Sequence, residues 1–166
     1  DEEAAHATPG IDDDSTFGED MVNLDLGVHV DGWLADTAIT VDLSGHADLA
    51  EASAEALAAA IDMIEPGVQT GEIGAEIESV IDGYGYNPVV NLTGHGLGHW
   101  EQHVPPNIPN RAVEQGVELS VGDVFALEPF ATDGGGKVTE GNEEDIFALD
   151  AEGSVRNRQA RQPLQQ

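Results

Sequence analysis

Two stretches of strand-like periodicity, separated by a single Asp-Gly pair, constrain this chain more than any other feature. Residues 21–31 (MVNLDLGVHVD) alternate apolar and polar, and residues 33–43 (WLADTAITVDL) read the same way. A period of two marks a half-buried strand, because successive side chains point to opposite faces. Asp31-Gly32 supplies the turn, since both residue types tolerate the positive φ that a two-residue hairpin needs. The spacing predicts an antiparallel hairpin in which residues 25 and 36 lie nearly opposite one another.

The period then changes. From Ala47 to Glu65, residues Leu49, Ala52, Ala56, Leu57, Ala60, Ile61 and Ile64 recur at three and four, which predicts an amphipathic helix ended by Pro66-Gly67. Thr70 is the expected cap of a second helix with Ile73, Ile77, Val80 and Ile81 on one face, stopping near Gly83. Residues 87–103 are extended and glycine-punctuated, followed by an expected proline-rich loop (Pro105, Pro106, Pro109). Strand-like segments come at 122–130 and 144–149, with a Gly134-Gly135-Gly136 turn between. Strands, two helices and strands again predict an α+β domain with helices on one face of a curved sheet.

Charge narrows the partners. The 166 residues hold 33 Asp+Glu against 5 Lys+Arg, a formal net charge of -28, and Lys137 is the single lysine. Phosphate binding requires Lys and Arg, so direct contact with nucleic acid is excluded, and an anionic membrane surface is disfavoured. Self-repulsion of this size opposes compaction in dilute buffer, whereas molar salt shortens the screening length to about 3 Å. The composition therefore fits a salt-rich cytoplasm. No cysteine is present, which excludes a disulfide framework, a thiol nucleophile and a Cys-based zinc site. No run approaches the roughly 18 apolar residues of a membrane span. Both ends read as cut, and a fragment of a longer protein is expected.

Four residues stand out chemically. Asp25 is flanked by Leu24, Leu26 and Val28, and Asp36 by Leu34, Ala35 and Ala38. One position in five is acidic, so their spacing alone is weak evidence; carboxylates in apolar strands, however, are usually paired or bound to a cation. His95 stands between Gly94 and Gly96, where glycines would let the backbone pass close to an ion or ligand, although such a histidine is as readily a loop residue. Glu128 lies in FALEPF, a costly place for a charge without a cation. Two Asp, one His and one Glu form a hard, oxygen-rich donor set suited to Mn, Fe(II), Co or Zn. Asp12, Asp13 and Asp14 read as a solvated run, and His29, His46 and His99 as structural or surface histidines.

These residues coincide with a known pattern. The run DMVNLDLGVHVDGWLADTA from Asp20 to Ala38, HATP at 6–9, GHGLGHWEQHVPPNIPN from Gly94 to Asn110 and ALEPFAT from Ala126 to Thr132 resemble the type II methionine aminopeptidases, archaeal style. Asn23 departs from the lysine usual two positions before the first Asp. The resemblance implies the pita-bread (creatinase/aminopeptidase) fold, incomplete at both ends: a partial catalytic domain over 1–149 and the start of a helical insert over 150–166. It implies metal ligation by Asp25, Asp36, His95 and Glu128, with two divalent ions (Co, Mn, Fe or Zn). Glu128 would also move the proton, and His103 and His6 would contact substrate and assist catalysis.

The implied reaction is removal of the N-terminal methionine from nascent polypeptides by metal-activated water. The family's fifth ligand, a Glu in a later strand, is not reached by this sequence, so the isolated chain is expected to be inactive. A prolidase or Xaa-Pro aminopeptidase would share the same four ligands. A non-catalytic binding member of the fold is the alternative of a different class.

Overall fold

Alternation and the Asp-Gly pair produce the expected hairpin. In the computed structural model, which describes residue 12 and residues 14–139, β1 (Met21–Val30) and β2 (Trp33–Asp42) pair antiparallel, closing at Val30 opposite Trp33. Asp31 and Gly32 take φ of 50° and 84°, as a two-residue turn between twisted strands demands. A side chain at Gly32 would collide with the Trp100 indole. The Gly32 carbonyl accepts a 2.8 Å hydrogen bond from the Trp100 N–H, which pins the hairpin tip to the next turn of chain.

The register corrects one expectation. Asp25 lies opposite Ala38 and Asp36 opposite Gly27, so the two acids are diagonal neighbours on one face. Strand alternation puts Leu24, Leu26 and Ala35, next to the acids in sequence, on the other face, whereas Leu34 and Ala38 share the face of Asp36. That second face, with Leu24, Leu26, Val28, Val30, Trp33, Ile39 and Val41, is exposed, from 47% at Val41 to 74% at Val30. Flanking hydrophobes therefore did not mean that the acids themselves are buried: Asp25 is exposed and Asp36 half-buried.

α1 (Ala47–Asp62) ends earlier than its apolar pattern suggested. Glu65 precedes Pro66, and a residue before proline is driven out of helical geometry. The buried stripe is Ala52, Ala56 and Ala60, spaced by four, while Ile61 and Ile64 are 54% and 38% exposed. α2 (Thr70–Gly83) matches its expected span. Its cap is Gln69 rather than Thr70: Glu72 Oε2 accepts from the Gln69 N–H at 3.0 Å, while Thr70 Oγ1 accepts from the Val117 N–H at 3.1 Å.

The core forms where the two helices meet the later strands. Ala56 and Ala60 pack with Ile73, Ile77, Ile81, Ile108 and Leu119. Each fully buried isoleucine contributes roughly 1.5–3 kcal/mol relative to exposure. The remaining strands are β3 (Asn87–Pro88), β4 (Thr93–Gly98), β5 (Glu101–Pro109), β6 (Phe125–Ala126) and β7 (Ala131–Thr132). Among the described residues the strands form three small sheets, β1-β2, β3-β7 and β5-β4-β6, rather than one continuous sheet.

The proline-rich run is strand rather than loop. It makes up most of β5, at the edge of its sheet, where a residue without an N–H is tolerated. The register along β4 and β5 shifts on either side of Gly96. The expected 122–130 strand contracts to Phe125–Ala126, and Pro129 bars its extension through the rest of that stretch. The segments expected at 144–149 and 150–166, and His6, lie outside the described residues. No helix among the described residues is long and apolar enough to cross a membrane.

Candidate metal centre

β4 carries the centre of the site because it is the middle strand of its sheet. His95 pairs with Asn107 on β5 and with Ala126 on β6, so its backbone is held from both sides. The glycines around it have a different use from the one expected. A Cβ on Gly94 would sit 2.5 Å from the Ala126 carbonyl oxygen, and one on Gly96 would collide with the Pro105 carbonyl. They permit close strand approach rather than close approach to an ion. The imidazole is 4% exposed.

Three side chains converge there. His95 Nε2 lies 2.7 Å from Glu128 Oε1 and 3.6 Å from Asp36 Oδ2. One donor atom from each of the three falls within 4.8 Å of the others. Donors about 2.1 Å from a shared ion stand roughly 3–3.5 Å apart, and the two measured separations bracket that range. His95 Nδ1 is 3.2 Å from the Gly96 carbonyl oxygen. With the ring proton assigned to Nδ1 and donated there, Nε2 presents its lone pair to the carboxylates. The donor set fits a divalent cation.

Electrostatics agree with the geometry. Burial pushes the Glu128 carboxyl above its usual value; His95 opposes that rise, and the Asp36 and Asp25 carboxylates add to it. Negative charge thus concentrates where a cation would relieve it.

Asp25 lies outside the three-residue group, on the same face of the hairpin as Asp36. Its Cα stands diagonal to that of Asp36, roughly 7–8 Å away, a spacing across which two carboxylates can still face one another. His103 is brought to the site: its ring centroid is 4.2 Å from that of His95, and it is solvent-exposed. His29 and His99 instead pack around Trp100 and Trp33 at the hairpin tip. His99 Nε2 lies 2.8 Å from the Asp31 carbonyl oxygen, a structural contact as expected.

Two polar residues beside the site gave little warning in the sequence. Gln102 Nε2, on β5, donates to Asp36 Oδ2, on β2, at 3.2 Å. Asn110 is fully buried and donates to the Glu128 carbonyl at 2.9 Å; its only signal was its place at the end of the Gly94–Asn110 run that carries the resemblance. A cleft of about 210 Å3, lined by Gly27, Leu34, Leu97 and Gln102 among others, opens onto Asp36.

Comparisons with known proteins point the same way. A model of metallopeptidase family M24 matches residues 1–157. The methionine aminopeptidase of Archaeoglobus fulgidus is 49% identical over 165 residues, which is 99% of this chain and 57% of that protein. The solved methionine aminopeptidase from Thermotoga maritima aligns with a TM-score of 0.70 at 31% identity, over 75% of this chain and 52% of that one. The prolidase from Pyrococcus horikoshii OT3 aligns at 0.59 and 26%, over 68% and 33%. The chain spans somewhat over half the length of the curated relatives it matches.

Proposed function

On the premise that the chain belongs to metallopeptidase family M24 and has the α+β pita-bread fold of its structural neighbours, we propose that it forms the catalytic core of a methionine aminopeptidase. The observation that carries this reading is the convergence of Asp36, His95 and Glu128. Asp25, Asp36, His95 and Glu128 would hold two divalent ions (Co, Mn, Fe or Zn), which when bound would supply Lewis acidity and lower the pKa of a water.

The chain's own groups do the rest. Glu128 accepts a proton from the attacking water and returns it to the leaving amine. His103 donates a hydrogen bond to the carbonyl oxygen of the first peptide bond, as it gains charge. His6 is assigned the same substrate-facing role from the HATP resemblance. The cleft with Leu34 and Leu97 in its wall offers apolar surface beside Asp36. The substrates are the N-termini of nascent polypeptides in a salt-rich cytoplasm, with neither nucleic acid nor membrane as direct partner.

The test is substrate choice. The natural-length protein carrying this sequence, loaded with divalent metal in high salt, is expected to release Met from Met-Ala-Ser in preference to cleaving Xaa-Pro dipeptides. Preference for Xaa-Pro would assign it to the prolidase side of the family. Tight metal binding without hydrolysis of either substrate would make it a binding member of the fold.

A further inference from the structure

Glu128 stands at a break in its strand. The β4–β6 ladder ends at His95 opposite Ala126, and Pro129 offers no N–H with which to extend it. Pairing resumes only at Phe130, whose carbonyl accepts from the Val89 N–H at 2.9 Å. Between these two points the backbone carrying Glu128 receives a hydrogen bond from a side chain. Asn110 Nδ2 donates to the Glu128 carbonyl at 2.9 Å and to the Leu92 carbonyl at 3.0 Å.

The placement of that amide ties three strand ends together. Asn110 follows β5, Leu92 precedes β4 and Glu128 follows β6, and these are the neighbouring strands of one sheet. The same sheet carries His95 on β4. A change in the spacing of these ends changes the separation of His95 Nε2 and Glu128 Oε1, now 2.7 Å. Asn110 is 0% exposed, and its Oδ1 finds no partner among the described residues. The two donors therefore carry the contact, and an isosteric carboxylate would replace both with repulsion toward the carbonyls.

We propose that Asn110 is a positioning residue for Glu128, its buried amide holding the ends of β4, β5 and β6 so that the Glu128 carboxylate meets His95 at ligand distance. The inference rests on the metal-site reading of Asp36, His95 and Glu128. Hydrogen-bonding partners one step removed from a metal typically change affinity or activity 10–100-fold when lost. Asn110 touches neither substrate nor metal, so its loss acts on the geometry of the ligands alone.

The experiment uses Asn110→Leu in the natural-length protein, which keeps approximate volume and removes both donors. Co(II) is titrated calorimetrically well below the variant's melting temperature, and its visible absorption spectrum is recorded. We expect affinity to fall about 10–100-fold, the Co(II) bands to change, and kcat to fall with KM little altered. A folded Asn110→Leu variant with wild-type Co(II) affinity and spectrum would overturn the proposal, even if its melting temperature were lower. If Asn110→Leu does not fold, Asn110→Ser, which retains a single shorter donor, is judged by the same affinity and spectrum. His95→Ala separates the two readings: wild-type Co(II) binding by that variant would overturn the metal centre itself, and the positioning role with it.

Discussion

Adding one methyl group at Gly94 tests whether strand spacing sets the geometry of the site. In Gly94→Ala the new Cβ would lie 2.5 Å from the Ala126 carbonyl oxygen and 3.3 Å from both Ile108 Cβ and Leu127 Cα. Ordinary contact begins near 3.4 Å, so β6 must retreat by about 0.9 Å, and backbone cannot rotate away as a side chain can. Overpacking of this kind costs about 1–3 kcal/mol, which lowers Tm by roughly 2–12 °C in a protein of this size. Glu128 lies two residues beyond Ala126, so the same retreat opens its 2.7 Å approach to His95. Metal affinity should then fall about 10–100-fold. Calorimetry gives both quantities, one from the melt and one from the titration. Gly83→Ala is the control: a Cβ there meets nothing within 4 Å, and at the last residue of α2 alanine should leave metal affinity unchanged and Tm unchanged or slightly raised. A Gly94→Ala protein with unchanged Tm and unchanged metal affinity would refute the argument that β4 and β6 are spaced by the absence of a side chain.

Two further outcomes are expected. With a net charge of -28, Tm should rise as KCl is increased from about 0.1 M to molar concentration, as the screening length falls from about 10 Å to about 3 Å; a flat or falling Tm would remove charge repulsion as the reason for the composition. Tyr84 should titrate late, because its hydroxyl hydrogen-bonds to the Glu55 carboxylate, helped by desolvation and the Glu51 charge, pushing it up to about 12. Since the folded value is the higher one, its contribution to stability is full below about pH 10 and is lost as pH rises through about 12. Phenolate absorbance in wild type and Glu55→Gln measures this, and a Tyr84 titration near 10 in both proteins would contradict it.

Much of the local structure was legible because it depends on neighbours in the chain. Asp31-Gly32 between two alternating stretches led directly to the β1–β2 hairpin, and Ile73, Ile77 and Ile81 to the buried face of α2. Propensity and period act over a few residues, so such elements survive whatever surrounds them. The departures had one distant and one local cause. Pro105, Pro106 and Pro109 read as loop because a proline-rich run lacks donors, yet an edge strand needs donors on one side only. Ile61 and Ile64 continue the apolar pattern of α1, but the helix ends and the core turns toward the alanine stripe instead.

The sequence by itself determined the hairpin, both helices, the acidic surface and the chemical types in the site, since Asp25, Asp36, His95 and Glu128 stand out from their immediate neighbours. Only the tertiary structure decided which of them meet. Register, a property of two strands rather than one, set Asp25 diagonal to Asp36, and it is Asp36 that gathers with His95 and Glu128. The side chains that steady these residues, Gln102 and Asn110, sit 66 and 18 positions from their partners Asp36 and Glu128. No local pattern encodes a hydrogen bond across that separation. The Asn110 bond exists because β5, β4 and β6 lie side by side and a buried amide must find its acceptors there; the Gln102 bond crosses from β5 to β2, in a different sheet.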